Sequence, residues 1–126
     1  MSSGTGPLEG EAAPSSDIVA GDQVVEIVWN CTPFRADRFE ELWRPWVEVS
    51  LEYGAKWYAF FRAQDDQWIF KQLMVFNEKI DFERYWYSEE MAGARASAAG
   101  LFEVPVLPAW FYPLSQGGRA KVSQAH

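Results

Sequence analysis

Lys56–Asn77 reads KWYAFFRAQDDQWIFKQLMVFN, and the pairing of this stretch with itself decides the fold. Two runs rich in aromatic and β-branched residues flank the polar pair Asp65-Asp66, the pattern of strand, turn and strand. With Asp65 and Asp66 as a two-residue loop, Gln64 faces Gln67, Ala63 faces Trp68, Phe61 faces Phe70 and Ala59 faces Gln72. Side chains alternate between faces with period two. One face then carries Trp57, Ala59, Phe61, Ala63, Trp68, Phe70, Gln72 and Met74. The other carries Tyr58, Phe60, Arg62, Ile69, Lys71, Leu73 and Val75. Both faces are largely apolar, so each needs a cover.

Upstream of the hairpin, Val24 to Cys31 (VVEIVWNC) alternates as a strand, with Val25, Ile27 and Trp29 on one side. Thr32-Pro33 ends it. Phe39, Leu42, Trp43, Trp46, Val47 and Ser50 then fall on one face of a helix from about Ala36 to Tyr53. Pro45 lies inside that pattern and predicts a kink, or two helices with Pro45 at the start of the second. Gly54 is placed for a left-handed cap. Downstream, Asp81 can cap a short helix, Phe82 to Tyr87, and Ser88 a second, Glu89 to Ala99. The run MAGARASAAG lets that second helix approach the sheet closely. Ala109 to Leu114 (AWFYPL) reads as an edge strand, given its prolines. Residues 1–22 are rich in Ser, Gly, Pro and Ala and read as a disordered leader. The folded domain is expected over residues 23–115, and residues 116–126 read as a flexible tail.

The chain has 126 residues, enough for one domain with a real core. Its net charge of −7 argues against nucleic acid and against an anionic membrane as partners. No apolar run is long enough to span a bilayer, and no secretory signal pattern opens the chain. The single cysteine, Cys31, excludes an internal disulfide framework and fits a reducing cytoplasm.

The order β-α-β-β-α-β predicts a ferredoxin-like α+β sandwich, with four antiparallel strands and both helices on one face. The other sheet face is then bare, and its large apolar side chains call for a second copy of the chain as cover. This element order, the Trp-rich first helix and the stretch IDFERYWYSEEMAGAR resemble the dimeric α+β barrel superfamily, which includes antibiotic-biosynthesis monooxygenases and small polyketide cyclases. The resemblance spans roughly residues 24–114. It implies a homodimer through the sheet and a cofactor-independent oxygenase or cyclase acting on a planar apolar compound. Haem-degrading relatives hold iron through a helix histidine, and the only histidine here is His126.

The residues themselves exclude several chemistries. With His126 alone in a presumed tail, the usual general base and metal ligand are missing from the domain. No Gly-rich phosphate loop, CxxC pair or nucleophile elbow is present. Glu40-Glu41 and Glu89-Glu90 are neighbours on helices and point about 100° apart, so they read as solvated faces, and no metal is expected. Cys31 reads as a small buried hydrophobe. The candidate substrate-binding residues are Asn30, Trp43, Trp46, Trp57, Phe61, Arg62, Gln72, Tyr85 and Trp86. In a pocket between sheet and helices the rings would supply walls and Arg62 or Gln72 a polar handle; core packing is the other reading of the same rings. The Ala59 face of the hairpin, with Gln72, is expected to turn towards the helices. Two functions stay open: a cofactor-independent enzyme acting on a planar, partly phenolic compound, and a non-catalytic module that binds a hydrophobic ligand or only assembles.

Overall fold

The computed structural model describes residues 17–119. Strand β1 (Gln23–Asn30) is followed by helix α1 (Ala36–Glu48), a 3-10 turn (Val49–Tyr53), strands β2 (Trp57–Arg62) and β3 (Ile69–Phe76), helices α2 (Lys79–Trp86) and α3 (Glu89–Ser97), and strand β4 (Ala109–Phe111). The strands form one antiparallel sheet in the order β2-β3-β1-β4. This is the expected ferredoxin-like βαββαβ arrangement. Val25, Ile27 and Trp29 of β1 and Phe70, Met74 and Phe76 of β3 join Phe39, Trp43 and Val47 of α1 and Phe82, Tyr85 and Met91 of α2 and α3 in a single core. All the helices therefore cover the same sheet face.

Several boundaries differ from the sequence expectation, among them the end of α1, where the last five residues of the expected helix form the 3-10 turn Val49–Tyr53. Helix α1 runs through Pro45 rather than splitting there, because Pro45 and Glu41 both lie on its exposed side, where a missing donor leaves only a solvated carbonyl. Helix α2 starts at Lys79, two residues before Asp81, which instead pairs with Arg84 one turn on. Strand β4 stops at Phe111 instead of Leu114, two residues before Pro113. Two caps fall where the sequence puts them. Ser88 Oγ accepts from the Met91 amide at 3.2 Å, and Gly54 ends the 3-10 turn at φ 101°.

The hairpin register is the larger correction. Trp57 pairs with Val75, Phe60 with Gln72 and Arg62 with Phe70, a slip of one residue from the two-residue loop. The chain turns through Gln64–Trp68 instead. Asp66 organises that turn: its carbonyl accepts from the Ile69 amide at 3.0 Å and its carboxylate from the Trp68 amide at 3.3 Å. A one-residue slip turns a whole strand over. Gln72 does face the helices, but Tyr58, Phe60 and Arg62 accompany it there, while Trp57, Ala59 and Phe61 point to the opposite side. The Ala59 face is thus the outer face. It is completed by Val24, Glu26 and Val28 of β1, Lys71, Leu73 and Val75 of β3, and Ala109 and Phe111 of β4, with Lys71 paired to Glu26 at 3.6 Å.

The last residues of the stretch read as leader form a turn before β1; residues 1–16 lie outside the described residues, as do 120–126 of the tail. Asp22 is 5% exposed, accepts from the Val19 amide at 2.8 Å and pairs with Lys56 at 2.9 Å. Burial pushes its carboxyl up, but the Val19 amide and the Lys56 ammonium together outweigh this and hold it below the ordinary carboxylate value. A carboxylate with a lowered folded pKa stabilises fully above its unfolded value, about 4, and loses that contribution as pH falls through the folded value. Asp22→Asn should therefore lower stability at pH 7 by about 2 kcal/mol and flatten the acid side of the stability profile. Thermal melts of both proteins from pH 2 to 7 measure this; parallel acid limbs would show that Asp22 carries no such linkage.

Candidate functional site

Gln72, in the middle of β3, is 0% exposed and binds four partners. Its Oε1 accepts from the indole Nε1 of Trp29 and of Trp43, both at 3.0 Å. Its Nε2 donates to Tyr85 Oη at 3.1 Å and to Met74 Sδ at 3.4 Å. Tyr85 Oη donates in turn to the Trp46 carbonyl at 2.9 Å. An amide side chain has two acceptor and two donor sites, so Gln72 is saturated inside the protein. Rings close the space around it: Trp29 lies 4.8 Å from Trp43 and 5.3 Å from Phe39, and Trp43 stacks on Phe39 at 5.8 Å. The gap expected between sheet and helices is filled by these side chains. Burial raises the Tyr85 phenol well above its ordinary pKa, with Gln72 and Arg95 offsetting only part of the rise. Tyr85 therefore stays neutral and serves as a donor, not a base.

A different recess is lined by apolar groups and one cation. Trp86 at the end of α2, Arg95 and Ala96 of α3, Ala99 and Gly100 of the turn after it, and Phe102, Val104 and Val106 of the following segment line a cleft of about 410 Å³. The small residues leave the room: Gly100 adopts φ 88°, and a Cβ there would meet nothing within 4 Å. Arg95 lies over the Trp86 ring at 4.5 Å, and its Nη1 donates to the Trp86 carbonyl at 2.7 Å. Trp86 is itself stacked on Phe82 at 5.7 Å. The cleft wall is thus fixed from behind.

No protein-family model and no curated protein sequence matches this chain. Solved structures do. A candidate antibiotic biosynthesis monooxygenase of Nitrosomonas europaea superposes with a TM-score of 0.69 at 16% identity, over 81% of this chain and 99% of that one. A variant of SnoaB, a cofactor-independent oxygenase of Streptomyces nogalater, gives 0.65 at 12% identity, over 77% and 97%. A candidate antibiotic biosynthesis monooxygenase of Caulobacter crescentus gives 0.66 at 13% identity, over 76% and 92%. The chain shares its ferredoxin-like α+β fold with these structures.

On this fold the remaining candidate residues fall in separate places. Trp43, Gln72 and Tyr85 form the buried network, and Trp46 adds its carbonyl and a half-buried ring. Trp86 lines the α3 cleft. Trp57 and Phe61 lie on the outer sheet face, removed from the helices by the register slip. Asn30 is exposed at the end of β1, where its carbonyl accepts from the Glu103 amide at 2.7 Å. Arg62 is neutralised at the edge of the helix face, bound by Asp37 and Glu40 at 2.9 Å each and by the Gln67 carbonyl at 2.7 Å. Two recesses lie beside it: one lined by Asp37, Glu40, Glu41, Arg44, Pro45 and Arg62, the other, of about 320 Å³, walled by Tyr58, Phe60, Phe61 and Phe70 with Glu40, Arg44 and Arg62; in both, Arg44 and Arg62 are already paired with carboxylates.

Sequence reasoning had not selected Trp29 or Arg95. Trp29 was legible as an inward residue of β1, and Arg95 as the lone charge in a run of small residues. Cys31 is buried, and burial pushes its thiol up to about 11, against a smaller lowering from Arg62. It is a packing residue. Among the described residues no group of three or more His, Cys, Asp or Glu side chains could hold a metal ion, and no helix is long and apolar enough to cross a membrane.

Proposed function

We propose that this chain is a homodimeric small-molecule-binding protein that holds a planar apolar compound in the α3 cleft. One observation carries the reading: the space between sheet and helices is occupied by the protein's own rings, whereas the cleft beside α3 combines apolar walls with a single cation. Its volume lies within the range of ligand sites, about 300–1,000 Å³. The outer sheet face, with Trp57, Phe61, Leu73 and Phe111, supplies the dimer contact. Cys31 is free, which fits a reducing compartment, taken here to be the cytoplasm.

A second reading has support from the likeness to SnoaB. A cofactor-independent oxygenase or cyclase would use the same cleft. The cleft residues include no side chain that readily accepts a proton, so such an enzyme would depend on a substrate acidic enough to ionise beside Arg95.

Ala99→Trp tests the cleft directly. Ala99 is exposed, so a large ring there should fill the cleft at little cost to the fold. Calorimetric titration with a panel of flat phenols and quinones should give saturable binding to the wild-type protein. The variant should bind at least tenfold more weakly while melting within a few degrees of wild type. Binding that persists unchanged in Ala99→Trp would place the ligand elsewhere. Oxygen uptake on mixing with the tightest binder would mark an oxygenase and its chromatographic conversion without uptake a cyclase; neither is expected of a binding module.

A further inference from the structure

Arg95 carries a positive charge into a cleft whose other walls are apolar. Trp86, Ala96, Ala99, Gly100, Phe102, Val104 and Val106 carry no charge, so Arg95 is the one ionic group that a ligand in the cleft would meet. Arg38, Arg44, Lys56, Arg62, Lys71 and Arg84 each have a carboxylate within ion-pair distance. Arg95, like Arg35 and Lys79, has none among the described residues, although Asp and Glu outnumber Lys and Arg 18 to 11 in the chain. Its protein contacts are the Trp86 carbonyl and the Trp86 ring. That carbonyl is at the C-terminal end of α2, whose dipole offsets part of a nearby positive charge. A guanidinium has five N–H donors in a planar fork, and the carbonyl occupies only the Nη1 end. The Trp86 carbonyl and the ring beneath hold the guanidinium in place, so less side-chain entropy remains to be lost on binding.

We infer that the cleft is selective for a planar aromatic compound bearing one anionic oxygen group, a carboxylate or an ionised phenol or enol, whose ring rests against Phe102, Val104 and Val106 while its oxygen is held by Arg95. This rests on the cleft being the ligand site proposed above. Paired with an oxyanion, Arg95 would gain the charge partner that the protein does not supply.

The test uses a matched pair of probes, 2-naphthoate and its neutral amide 2-naphthamide, titrated calorimetrically into the full-length wild-type protein, Arg95→Gln, Arg95→Lys and Ala99→Trp. Wild type should bind the carboxylate at least tenfold more tightly than the amide. Arg95→Gln should abolish that preference with the amide affinity within about twofold of wild type, and Arg95→Lys should keep most of it. A role of Arg95 confined to capping α2 would lower both affinities together and so overturns the inference. A second arm needs no variant: raising NaCl from 0.05 to 0.5 M should shrink the wild-type preference through the carboxylate alone. Equal binding of the two probes, blocked by Ala99→Trp, overturns anion selectivity and leaves the cleft reading standing. Failure of both probes to bind, or binding indifferent to Ala99→Trp, overturns both.

Discussion

Replacing Gln72 with leucine should destabilise the domain by about 4 kcal/mol, although leucine is apolar, similar in volume and suited to a core. The two indole N–H groups of Trp29 and Trp43 share Gln72 Oε1 as acceptor and are sealed in with the rings around them. Leucine leaves both without a partner. A buried donor left unsatisfied costs about 1–3 kcal/mol. Tyr85 loses the Gln72 donor but keeps the Trp46 carbonyl, so it adds less. For a domain of this size each kcal/mol moves the midpoint by about 4–8 °C, which gives a fall on the order of 20 °C. Urea and thermal denaturation measure it, and the pairing of Gln72→Leu with Trp29→Phe should show coupling of about 1 kcal/mol or more. A midpoint within 3 °C or so of wild type would mean that the network contributes little to stability.

The second large effect is expected at the outer sheet face. Phe61 is 55% exposed in the single chain, so Phe61→Glu should hardly change the stability of an isolated domain. In a dimer packed through this face the same change would bury a carboxylate between two largely apolar surfaces, where its cross-strand neighbour Lys71 is already paired with Glu26, a cost that one side chain cannot absorb. The dissociation constant should rise at least a hundredfold, equivalent to about 2.7 kcal/mol. Sedimentation at 10 μM should find the wild-type protein dimeric and the variant monomeric and folded. Leu107→Glu serves as the control, since Leu107 is exposed but lies in the segment before β4, outside the paired strands. A monomeric wild type, or a Phe61→Glu variant that stays dimeric, would overturn the sheet-to-sheet assembly.

The fold was legible where periodicity was strong. The inward residues of β1, the buried face of α1 and the Ser88 cap all follow from spacing and side-chain chemistry. The sheet order then follows from the sequence of elements. What the sequence could not settle was the parity of the hairpin loop. Both faces of β2 are apolar, so no polar residue marks the outer side, and the only local evidence was Asp65-Asp66. Asp66 bonds to the amide two residues on, which favours a longer turn over the two-residue one. The site was less legible for a related reason. Tyr85, Trp43 and Gln72 were recognised as inward-facing, but only packing could tell a gap from a filled core. Arg95 gave no periodic signal, because its role depends on the segment Gly100–Val106 returning across α3.

The Gln72 network also bears on how the molecule comes together. Its members come from β1, α1, β3 and α2, and its individual hydrogen bonds reach across as many as the 43 residues between Trp29 and Gln72. No local piece of chain can build it, and no partial assembly is rewarded for most of it. The sheet centre, helices α1 and α2 and the central amide must arrive together before the indole and phenol hydrogens are all satisfied. An opening that frees one of them exposes the others. The centre of this protein should accordingly yield in a single cooperative step, with its edges, β2 and the three-residue β4, free to breathe while the middle holds.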